Sequence, residues 1–514
     1  MTASPSQETT VTEVATHALA PGLRVARLIT GLWQVADMER DGPPLDPDRA
    51  AADLLPYARA GLTTFDMADH YGSAEVIAGR LRAREDVGRL QLLTKWVPAP
   101  GEGSREATRA AVERACTRLG VERIDLLQYH AWNYADPRWL DDLFWLAELR
   151  EEGLVGALGV TNVDTAHLRV LKSSGLPIVS DQVCWSLLDD RPRARLAPWC
   201  AANGVGLLCY GALAGGFLSE RWLGAAEPDQ ERAGTWSQMK YGRFLRVAGG
   251  WSALQGLLET AAAIARRHDV SLANVAVRWV LEQAGVAAVV VGARPGERTH
   301  VEDNLRVFDF ALDEADHARL DEARAQLTPI PGEPGDEYRK PPYLTASGDL
   351  SHHLDALPAP YPSRPGPGSR TRALSGTIWE DLAGFSRAVR KGKRIWISGT
   401  TATHGTRLIG GEDAGAQAHF ALDKIEGALQ SLGARLEDVV RTRVYVHHEE
   451  DWEAVSRVHG ERLGHVQPAN TLVRAGLIGD GYRVEIEAEA ELEEDPDAGE
   501  ASAQRPAAAH DAGS

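Results

Sequence analysis

Short apolar runs alternate with amphipathic stretches from Arg27 to about Asp321. Eight of these runs predict buried β-strands, and the first and last of them read ARLITGLW and VAAVVVGA. Between the runs, apolar residues recur every three and four positions, as in helices that pack on one face. Two predicted helices end at Gly61 and Gly120, since glycine favours the backbone conformation that closes a helix. The pattern predicts a parallel sheet covered by helices, and therefore an α/β fold.

Eight strand-helix units over about 300 residues fit a closed (β/α)8 barrel of the TIM type. An open, doubly wound sheet that binds a dinucleotide would need a glycine-rich turn after its first strand, and the sequence has none there. An insertion at 211–250 follows the seventh predicted strand, and we expect it to fold over the mouth of the barrel.

The pattern changes after residue 327, where prolines are frequent and periodicity is weak. We expect a barrel domain at 18–350 that ends in a packed tail, then a semi-rigid linker at 351–370. In a second domain at 371–494, strands and helices do not alternate strictly, which predicts a smaller α+β sheet with helices on one face. The termini at 1–17 and 495–514 are expected to be disordered.

The composition limits the class of protein. Of the 514 residues, 44% are hydrophobic and 25% are charged, and the net charge of −18 disfavours a nucleic-acid surface. No apolar run approaches the ~20 residues that span a bilayer, and the N-terminus lacks the layout of a signal peptide, so we expect a cytoplasmic protein that does not bind membranes. The four cysteines show no metal-binding spacing and are expected to be reduced, buried thiols, with no metal site.

Four ionisable residues fall at the predicted ends of three neighbouring strands. Asp66 ends the second strand and Tyr71 follows it, while Lys95 and His130 end the third and fourth strands. Singly, each would more often be a packing or ion-paired residue, but together they lie where barrel enzymes carry out their chemistry. A lysine cation would lower the pKa of a nearby tyrosine from about 10, and a carboxylate would hold that lysine charged. A phenol poised in this way can protonate a developing alkoxide, and Tyr71 is the candidate for this step.

The segment FDMADHYGSAE resembles the signature of the aldo-keto reductase family, in which an aspartate precedes the catalytic tyrosine by five residues. The segments LLTKW and LLQYHAW supply the lysine and the histidine of that family, and the resemblance covers about residues 20–325. It implies hydride transfer from NAD(P)H to a carbonyl carbon, with Tyr71 as general acid and His130 orienting the carbonyl oxygen. Trp33 and Trp132 are expected to line the substrate pocket, although packing alone would explain them equally well.

The same resemblance assigns residues to the cofactor. Thr161, Asn162 and Gln182 would hold the nicotinamide carboxamide, and the ring of Tyr210 would stack on the nicotinamide. In the segment GARPGERTHVEDN, Arg294 is placed to pair with a 2′-phosphate, which favours NADPH over NADH. The other residues assigned to the dinucleotide are Gly31, Trp33, Asp66, Gly211, Leu213, Gly215, Gly292, His300 and Asn304.

Residues 375–492 resemble the Rid family of enamine and imine deaminases, which have a chorismate mutase-like fold and form homotrimers with clefts between subunits. The segments ISGTTA and QPANTLVRAGLIGDGYRVEIEAEAEL carry this resemblance. The substrate-binding arginine of the family is replaced by Asn470, whereas its glutamate is kept as Glu485. Arg474 follows on the same strand face but ~13 Å further along, so it cannot replace the arginine directly. The Rid-like cleft is thus assigned Asn470, Arg474 and Glu485.

The sequence leaves three accounts of the whole chain open. The first is an NADPH-dependent reductase of small aldehydes or ketones, in which the Rid-like domain forms a homotrimer or handles a labile intermediate. The second is imine reduction, or a redox-neutral lyase or epimerase reaction with bound NADP, coupled to imine or enamine hydrolysis by the Rid-like domain. The third is a non-catalytic cofactor sensor, which the intact tetrad disfavours.

Overall fold

The computed structural model describes residues 14–35, 45–101, 103–228, 235–297, 299–340, 344 and 357–493. The described residues form two compact units, the first within Met1–Tyr134 and Arg138–Pro358 and the second within Ala135–Pro137 and Ala359–Ser514. Among the described residues, no helix is both long enough and apolar enough to cross a membrane.

The first unit contains a closed barrel of eight parallel strands. An antiparallel hairpin precedes it, made of β1 (Thr16–Ala20) and β2 (Leu23–Ala26). The barrel strands pair in chain order and the last pairs with the first: β3 (Leu28–Gly31), β4 (Thr64–Asp66), β5 (Gln91–Trp96), β6 (Ile124–His130), β7 (Val155–Thr161), β8 (Ile178–Cys184), β9 (Gly206–Tyr210) and β10 (Val286–Gly292). The eight apolar runs of the sequence correspond to these strands, so the predicted (β/α)8 barrel is confirmed.

Local sequence signals set the ends of the helices between these strands. The side chain of Ser104 accepts a hydrogen bond from the backbone of Ala107, and the same helix ends at Gly120, whose φ is 62°. The helices of this unit are α1 (Pro47–Arg59), α2 (Ala74–Arg82), α3 (Arg105–Leu119), α4 (Arg138–Glu151), α5 (Thr165–Ser173), α6 (Leu196–Asn203), α7 (Trp236–Val247), α8 (Gly250–His268), α9 (Leu272–Leu281), α10 (Val301–Leu305), α11 (Glu314–Arg324) and α12 (Asp336–Arg339).

The first unit contains an N-terminal hairpin that the sequence analysis did not predict, and this hairpin begins before residue 18. Thr16 belongs to β1, so the prediction of disorder over 1–17 is wrong at its C-terminal end, while residues 1–13 lie outside the described residues. Leu19 and Leu23 of the hairpin are buried in one apolar cluster with Ile29 and other barrel residues. Burial of these side chains offsets the entropy lost when the hairpin is ordered.

The second unit is a seven-stranded sheet with helices, in the order β11-β12-β13-β14-β19-β17-β18. Its strands are β11 (Ser363–Gly366), β12 (Arg370–Ala373), β13 (Ala388–Lys391), β14 (Arg394–Thr401), β17 (Val439–Val446), β18 (Ala469–Arg474) and β19 (Val484–Glu491), and a separate small hairpin is formed by β15 (Thr403–His404) and β16 (Arg407–Leu408). Its helices are α13 (Ile378–Ala383), α14 (Ala414–Ser431) and α15 (Trp452–Leu463). Leu422 and Ile425 of α14 are buried in one core with Val444 and Ile486 of the sheet. The predicted α+β domain is confirmed.

The predicted linker is shorter than 351–370. Residues Ser363–Gly366 and Arg370 belong to β11 and β12, which pair with each other in antiparallel fashion. Pro365 is tolerated there because β11 is an edge strand, where a missing backbone donor costs no ladder hydrogen bond. Residues 351–356 and the predicted disordered tail at 495–514 lie outside the described residues.

Candidate active site

A buried ion pair joins two neighbouring strands at the C-terminal end of the barrel. Asp66 is the last residue of β4, and Lys95 lies on β5. Lys95 Nζ donates hydrogen bonds to Asp66 Oδ2 at 2.5 Å and to the backbone oxygen of Met67 at 2.9 Å. The Lys95 and Asp66 side chains are only 6% and 4% exposed, so water screens their attraction weakly. Burial lowers the pKa of Lys95, and the Asp66 carboxylate opposes that shift.

Tyr71 and His130 lie at the same end of the barrel. Lys95 Nζ is 5.4 Å from the centre of the Tyr71 ring, and Trp33 packs edge-on against this ring at 4.8 Å. His130 ends β6 and is fully buried, and within the described residues neither of its ring nitrogens makes a hydrogen bond. Burial lowers the pKa of His130 well below its ordinary value, and the charge of Arg339 adds to the shift. The shift favours the neutral imidazole, which has one donor and one acceptor nitrogen.

An amide network holds the second oxygen of Asp66. Gln128 Nε2 and Gln182 Nε2 donate to Asp66 Oδ1 at 3.0 Å and 2.8 Å. Gln182 Nε2 also donates to Gln128 Oε1 at 3.0 Å, and Thr161 Oγ1 donates to the Gln182 backbone oxygen at 2.9 Å. Gln128 was not among the residues predicted for the site, although this polar residue stands in an apolar run, two residues before His130 and hence on the same strand face. A buried side-chain amide needs hydrogen-bond partners, so a glutamine within this apolar run was a sign that other polar groups lie nearby.

The amide groups of Asn162 and Gln182 complement a primary carboxamide. The Asn162 backbone N–H donates to the Gln182 backbone oxygen at 2.9 Å, which makes the two residues neighbours. Gln182 Nε2 donates to Asp66 and Gln128, and Asn162 Oδ1 accepts from Tyr210 Oη at 2.7 Å. No hydrogen bond within the described part of the chain uses Gln182 Oε1 or Asn162 Nδ2. This acceptor and this donor match the NH2 and C=O of a carboxamide, so the residues present fit a nicotinamide.

The loop after β9 packs closely on α7, which lies in the insertion at 211–250. Gly211 and Gly215 have φ of 74° and 66°. A Cβ on Gly211 would overlap Tyr241 Oη, and one on Gly215 would lie 2.9 Å from the backbone oxygen of Ser237. Trp33 Nε1 also donates to Ser237 Oγ at 3.2 Å. The helix therefore covers the loop that contains Gly211, Leu213 and Gly215, three of the residues assigned to the dinucleotide.

The residues assigned to the adenosine end follow β10. Gly292 is the last residue of β10 and pairs with Gly31 of β3. Arg294 Nη1 lies 3.6 Å from the carboxylate of Glu297, and both side chains are partly exposed. His300 precedes α10, and Asn304 lies within it. The Arg294 guanidinium is thus close to one carboxylate and accessible to a further anion.

A segment beyond the last barrel helix brings residues that the sequence analysis did not assign to the site. Arg339 of α12 donates to the backbone oxygens of Ala131 and Asn162, at 2.6 Å in each case. The ring of Tyr338 lies 5.5 Å from the ring of His130. Since this segment shows no periodicity and no motif, only its tertiary placement connects it with the site.

A buried arginine anchors α12 to the barrel. Arg191 donates to the two carboxylate oxygens of Asp189 at 2.8 Å and 2.7 Å, and to Glu337 Oε2 at 2.8 Å. Burial alone would raise the pKa of Glu337, but Arg191 holds it below its ordinary value. Glu333, just before α12, accepts from the backbone and hydroxyl of Thr165 at 2.9 Å and 2.7 Å. These bonds fix the position of Tyr338 and Arg339.

Trp132, the second residue assigned to the substrate pocket, lies beside His130. The two ring centres are 4.7 Å apart, and the rings are nearly perpendicular. Trp132 Nε1 donates to the backbone oxygen of Pro98 at 2.8 Å. The indole is thus fixed in the position where it would form a wall next to a carbonyl bound at His130.

The residues assigned to the Rid-like cleft do not meet within one chain. Asn470 pairs with Thr442 of β17, whose hydroxyl donates to Asn470 Oδ1 at 3.2 Å. Glu485 pairs with Tyr445, three residues further along β17, so the side chains of Asn470 and Glu485 point to opposite faces of the sheet. Arg474 is exposed and shares the strand of Asn470. Burial raises the pKa of Glu485.

Comparison with known proteins divides the chain into the barrel and the second unit. The model of the aldo/keto reductase family matches residues 27–325, and the model described as endoribonuclease L-PSP, which represents the Rid family, matches residues 379–492. An NADH-specific methylglyoxal reductase of Escherichia coli is 25% identical over 335 residues, which cover 59% of this chain and 96% of that protein. An uncharacterized protein of Streptomyces coelicolor is 40% identical over 120 residues, which cover 23% of this chain and 90% of that protein.

A solved structure shows the same barrel. The glycerol dehydrogenase of Gluconobacter oxydans covers 63% of this chain and 99% of its own, with 22% identity and a TM-score of 0.51. At this identity the likeness concerns the fold. With the family match over more than half of its length, the chain belongs to the aldo/keto reductase family of oxidoreductases and carries a Rid-family domain fused after the barrel.

Proposed function

We propose that the barrel reduces the carbonyl group of a small aldehyde or ketone with NADPH, and that Tyr71 donates the proton. The observation that carries this proposal is the buried Lys95–Asp66 ion pair beside the Tyr71 ring, at the barrel end where the neutral His130 has a donor nitrogen available. Hydrogen-bond donors aimed at a developing oxyanion in a dry site are the largest single source of rate enhancement in many enzymes.

Each residue then has a defined task. When bound, NADPH supplies the hydride. Asn162 and Gln182 orient the nicotinamide carboxamide through Nδ2 and Oε1. His130 donates a hydrogen bond to the carbonyl oxygen, and Tyr71 transfers its phenolic proton to that oxygen. The Lys95 ammonium stabilises the phenolate left on Tyr71, because an opposite charge nearby favours the ionised form.

The test is NADPH oxidation, followed by ultraviolet absorbance, against a panel of aldehydes, ketones and cyclic imines. Tyr71→Phe is expected to lower kcat at least about a hundredfold, because general acid catalysis is lost. Tyr129→Phe is a matched control, since Tyr129 Oη donates to Asp142 Oδ2 at 2.7 Å and its side chain leaves the opposite face of β6 from His130. Full activity in Tyr71→Phe would refute the proposed proton donor.

We propose NADPH as the cofactor because Arg294 offers a partly exposed guanidinium for a 2′-phosphate. The related reductase of Escherichia coli is named as NADH-specific, so the choice needs a direct test. Arg294→Ala is expected to raise KM for NADPH about tenfold, the loss of one charge-assisted contact, and to leave KM for NADH unchanged. A wild-type protein that prefers NADH would show that Arg294 does not have this role.

The fused Rid-family domain favours one alternative for the barrel, namely imine reduction or a redox-neutral lyase or epimerase reaction with bound NADP. Tyr71 could protonate a nitrogen as well as an oxygen. The imines of the same panel distinguish these reactions, because a redox-neutral reaction would consume no NADPH in stoichiometric amounts.

For the second unit we propose a homotrimer, with the Rid-family domain as its contact. Trp396 and Val473 are 41% and 42% exposed, and their register places both on the outer face of the sheet, opposite to the helices. Exposed apolar side chains on one face are typical of an interface. The separation of Asn470 from Glu485 within one chain supports a structural role for this domain over catalysis inside a single subunit.

A further inference from the structure

A continuous chain of hydrogen bonds in the barrel runs from Lys240 to Asn162. Lys240 Nζ lies 2.5 Å from Tyr338 Oη, Tyr338 Oη lies 3.2 Å from Tyr210 Oη, and Tyr210 Oη donates to Asn162 Oδ1 at 2.7 Å. These residues come from α7, α12, β9 and the end of β7. Two of the four elements, α7 and α12, are additions to the eight strand-helix units.

The direction of this chain follows from the chemistry of its groups. A phenol has one hydrogen, and that of Tyr210 is used by Asn162, so Tyr210 must accept from Tyr338. An ammonium can only donate, so Tyr338 accepts from Lys240 and turns its own hydrogen towards Tyr210. Burial raises the pKa of Tyr210 well above its ordinary value, which keeps this hydroxyl protonated.

The consequence concerns the orientation of the Asn162 amide. With Oδ1 held by Tyr210, Asn162 Nδ2 is turned away from the phenol and is the atom left to donate to a carboxamide oxygen. A rotated amide would present its NH2 group to the Tyr210 hydroxyl hydrogen, and two donors would then face each other. The chain therefore selects the amide orientation that a nicotinamide needs.

The backbone of Asn162 is held by the same segment. Its φ is 58°, an uncommon value for a residue other than glycine, and Arg339 Nη1 donates to its backbone oxygen at 2.6 Å. Lys240 is buried, and its Nζ lies 5.1 Å from the centre of the Tyr210 ring and 4.8 Å from that of Tyr338. The orientation of the Asn162 side chain and the position of its backbone thus both depend on residues of α12, Tyr338 for the side chain and Arg339 for the backbone.

We propose that Tyr338, oriented by Lys240, is a positioning residue for the nicotinamide and acts through Tyr210 on Asn162. The inference rests on the proposed function, since it requires that Asn162 binds the nicotinamide. Tyr338 touches no reacting atom in this scheme. Its contribution is that the carboxamide meets a donor that is already oriented, so less conformational entropy is lost when the cofactor binds.

The test is calorimetric titration of the full-length protein with two ligands. One is the dinucleotide, NADPH or NADH, that the wild type binds more tightly, and the other is the matching ADP-ribose fragment, which lacks the nicotinamide. Tyr338→Phe is expected to weaken dinucleotide binding about fivefold, the value of one hydrogen bond, and to leave fragment binding unchanged. Tyr210→Phe should have the same selective effect, and the double variant should be no weaker than Tyr210→Phe, because both act through one chain.

Tyr129→Phe again serves as the matched control, because it removes a buried phenol hydrogen bond away from the site and should change neither affinity. Equal weakening of dinucleotide and fragment by Tyr338→Phe, additive effects in the double variant, or unchanged binding would each overturn the inference while the reductase proposal stands. A wild-type protein that binds neither the dinucleotide nor the fragment would overturn both.

Discussion

The buried environment of His130 favours the neutral imidazole, a form that suits a different role from the one proposed for Tyr71. The imidazole is fully buried, and its pKa lies well below the ordinary value because of desolvation and the nearby Arg339. In the proposed reaction, His130 acts as a neutral hydrogen-bond donor and Tyr71 acts as an acid through its protonated phenol. Lower pH removes neither form, as long as His130 stays neutral.

We therefore expect kcat for carbonyl reduction to stay constant between about pH 7.5 and about pH 6, where an ordinary histidine would titrate. The measurement is initial rates at saturating substrate and cofactor in a buffer of constant ionic strength. An acid limb with a midpoint near pH 6.5, absent from His130→Gln, would show that the residue titrates normally. In the unfolded chain the histidine has its ordinary pKa, so stability is lost as pH falls below about 6.5, and circular dichroism at each pH must show that the protein is folded.

At the scale of elements, the close packing of α12 against Asn162 depends on one glycine. Gly335 has a φ of 95°, and a Cβ at this position would overlap the backbone oxygen of Asn162. Gly335→Ala should displace α12 from the site and lower kcat/KM at least about tenfold, because small displacements near reacting groups are costly. Gly224→Ala is the matched control, since Gly224 has a φ of 71° but nothing within 4 Å of the added Cβ.

Both glycine variants should lose about 1 kcal/mol of stability from backbone strain, which thermal unfolding measures. Gly335→Ala should lose more, because its Cβ also overlaps the backbone oxygen of Asn162. Only Gly335→Ala should lose activity. Comparable activity in the two variants would show that the contact between α12 and Asn162 does not matter for turnover.

The elements also show which features could be predicted from the sequence and which could not. The eight barrel strands are apolar runs because both of their faces are buried, and Asp66 and His130 could be placed because they stand at strand ends. Tyr338 and Lys240 could not be assigned, since nothing local distinguishes them and their role depends on how α7 and α12 pack. Strand β11 was concealed by Pro365, a residue that only an edge strand tolerates.

At the scale of the whole molecule, the sheet of the second unit has two unlike faces. One face of β19 presents buried Ile486 and Ala488 to the core. On the other face, Arg443 contacts Glu487 and Glu489 at 2.9 Å and 3.3 Å. These ion pairs share the outer face with exposed Trp396 and Val473, and tryptophan and arginine are both enriched at protein interfaces.

Sedimentation equilibrium of the full chain should therefore give three times the 55.6 kDa of one subunit. Trp396→Asp would place an unpaired carboxylate in the contact, where desolvation is costly, and should give monomers at micromolar concentration. Trp452→Asp is the matched control, because this tryptophan is also about half exposed but lies on α15, away from the outer face of the sheet, and the variant should stay trimeric. A monomeric wild type would leave the outer face of the sheet without the proposed partner, whereas a trimer that survives Trp396→Asp would place the contact elsewhere on the molecule.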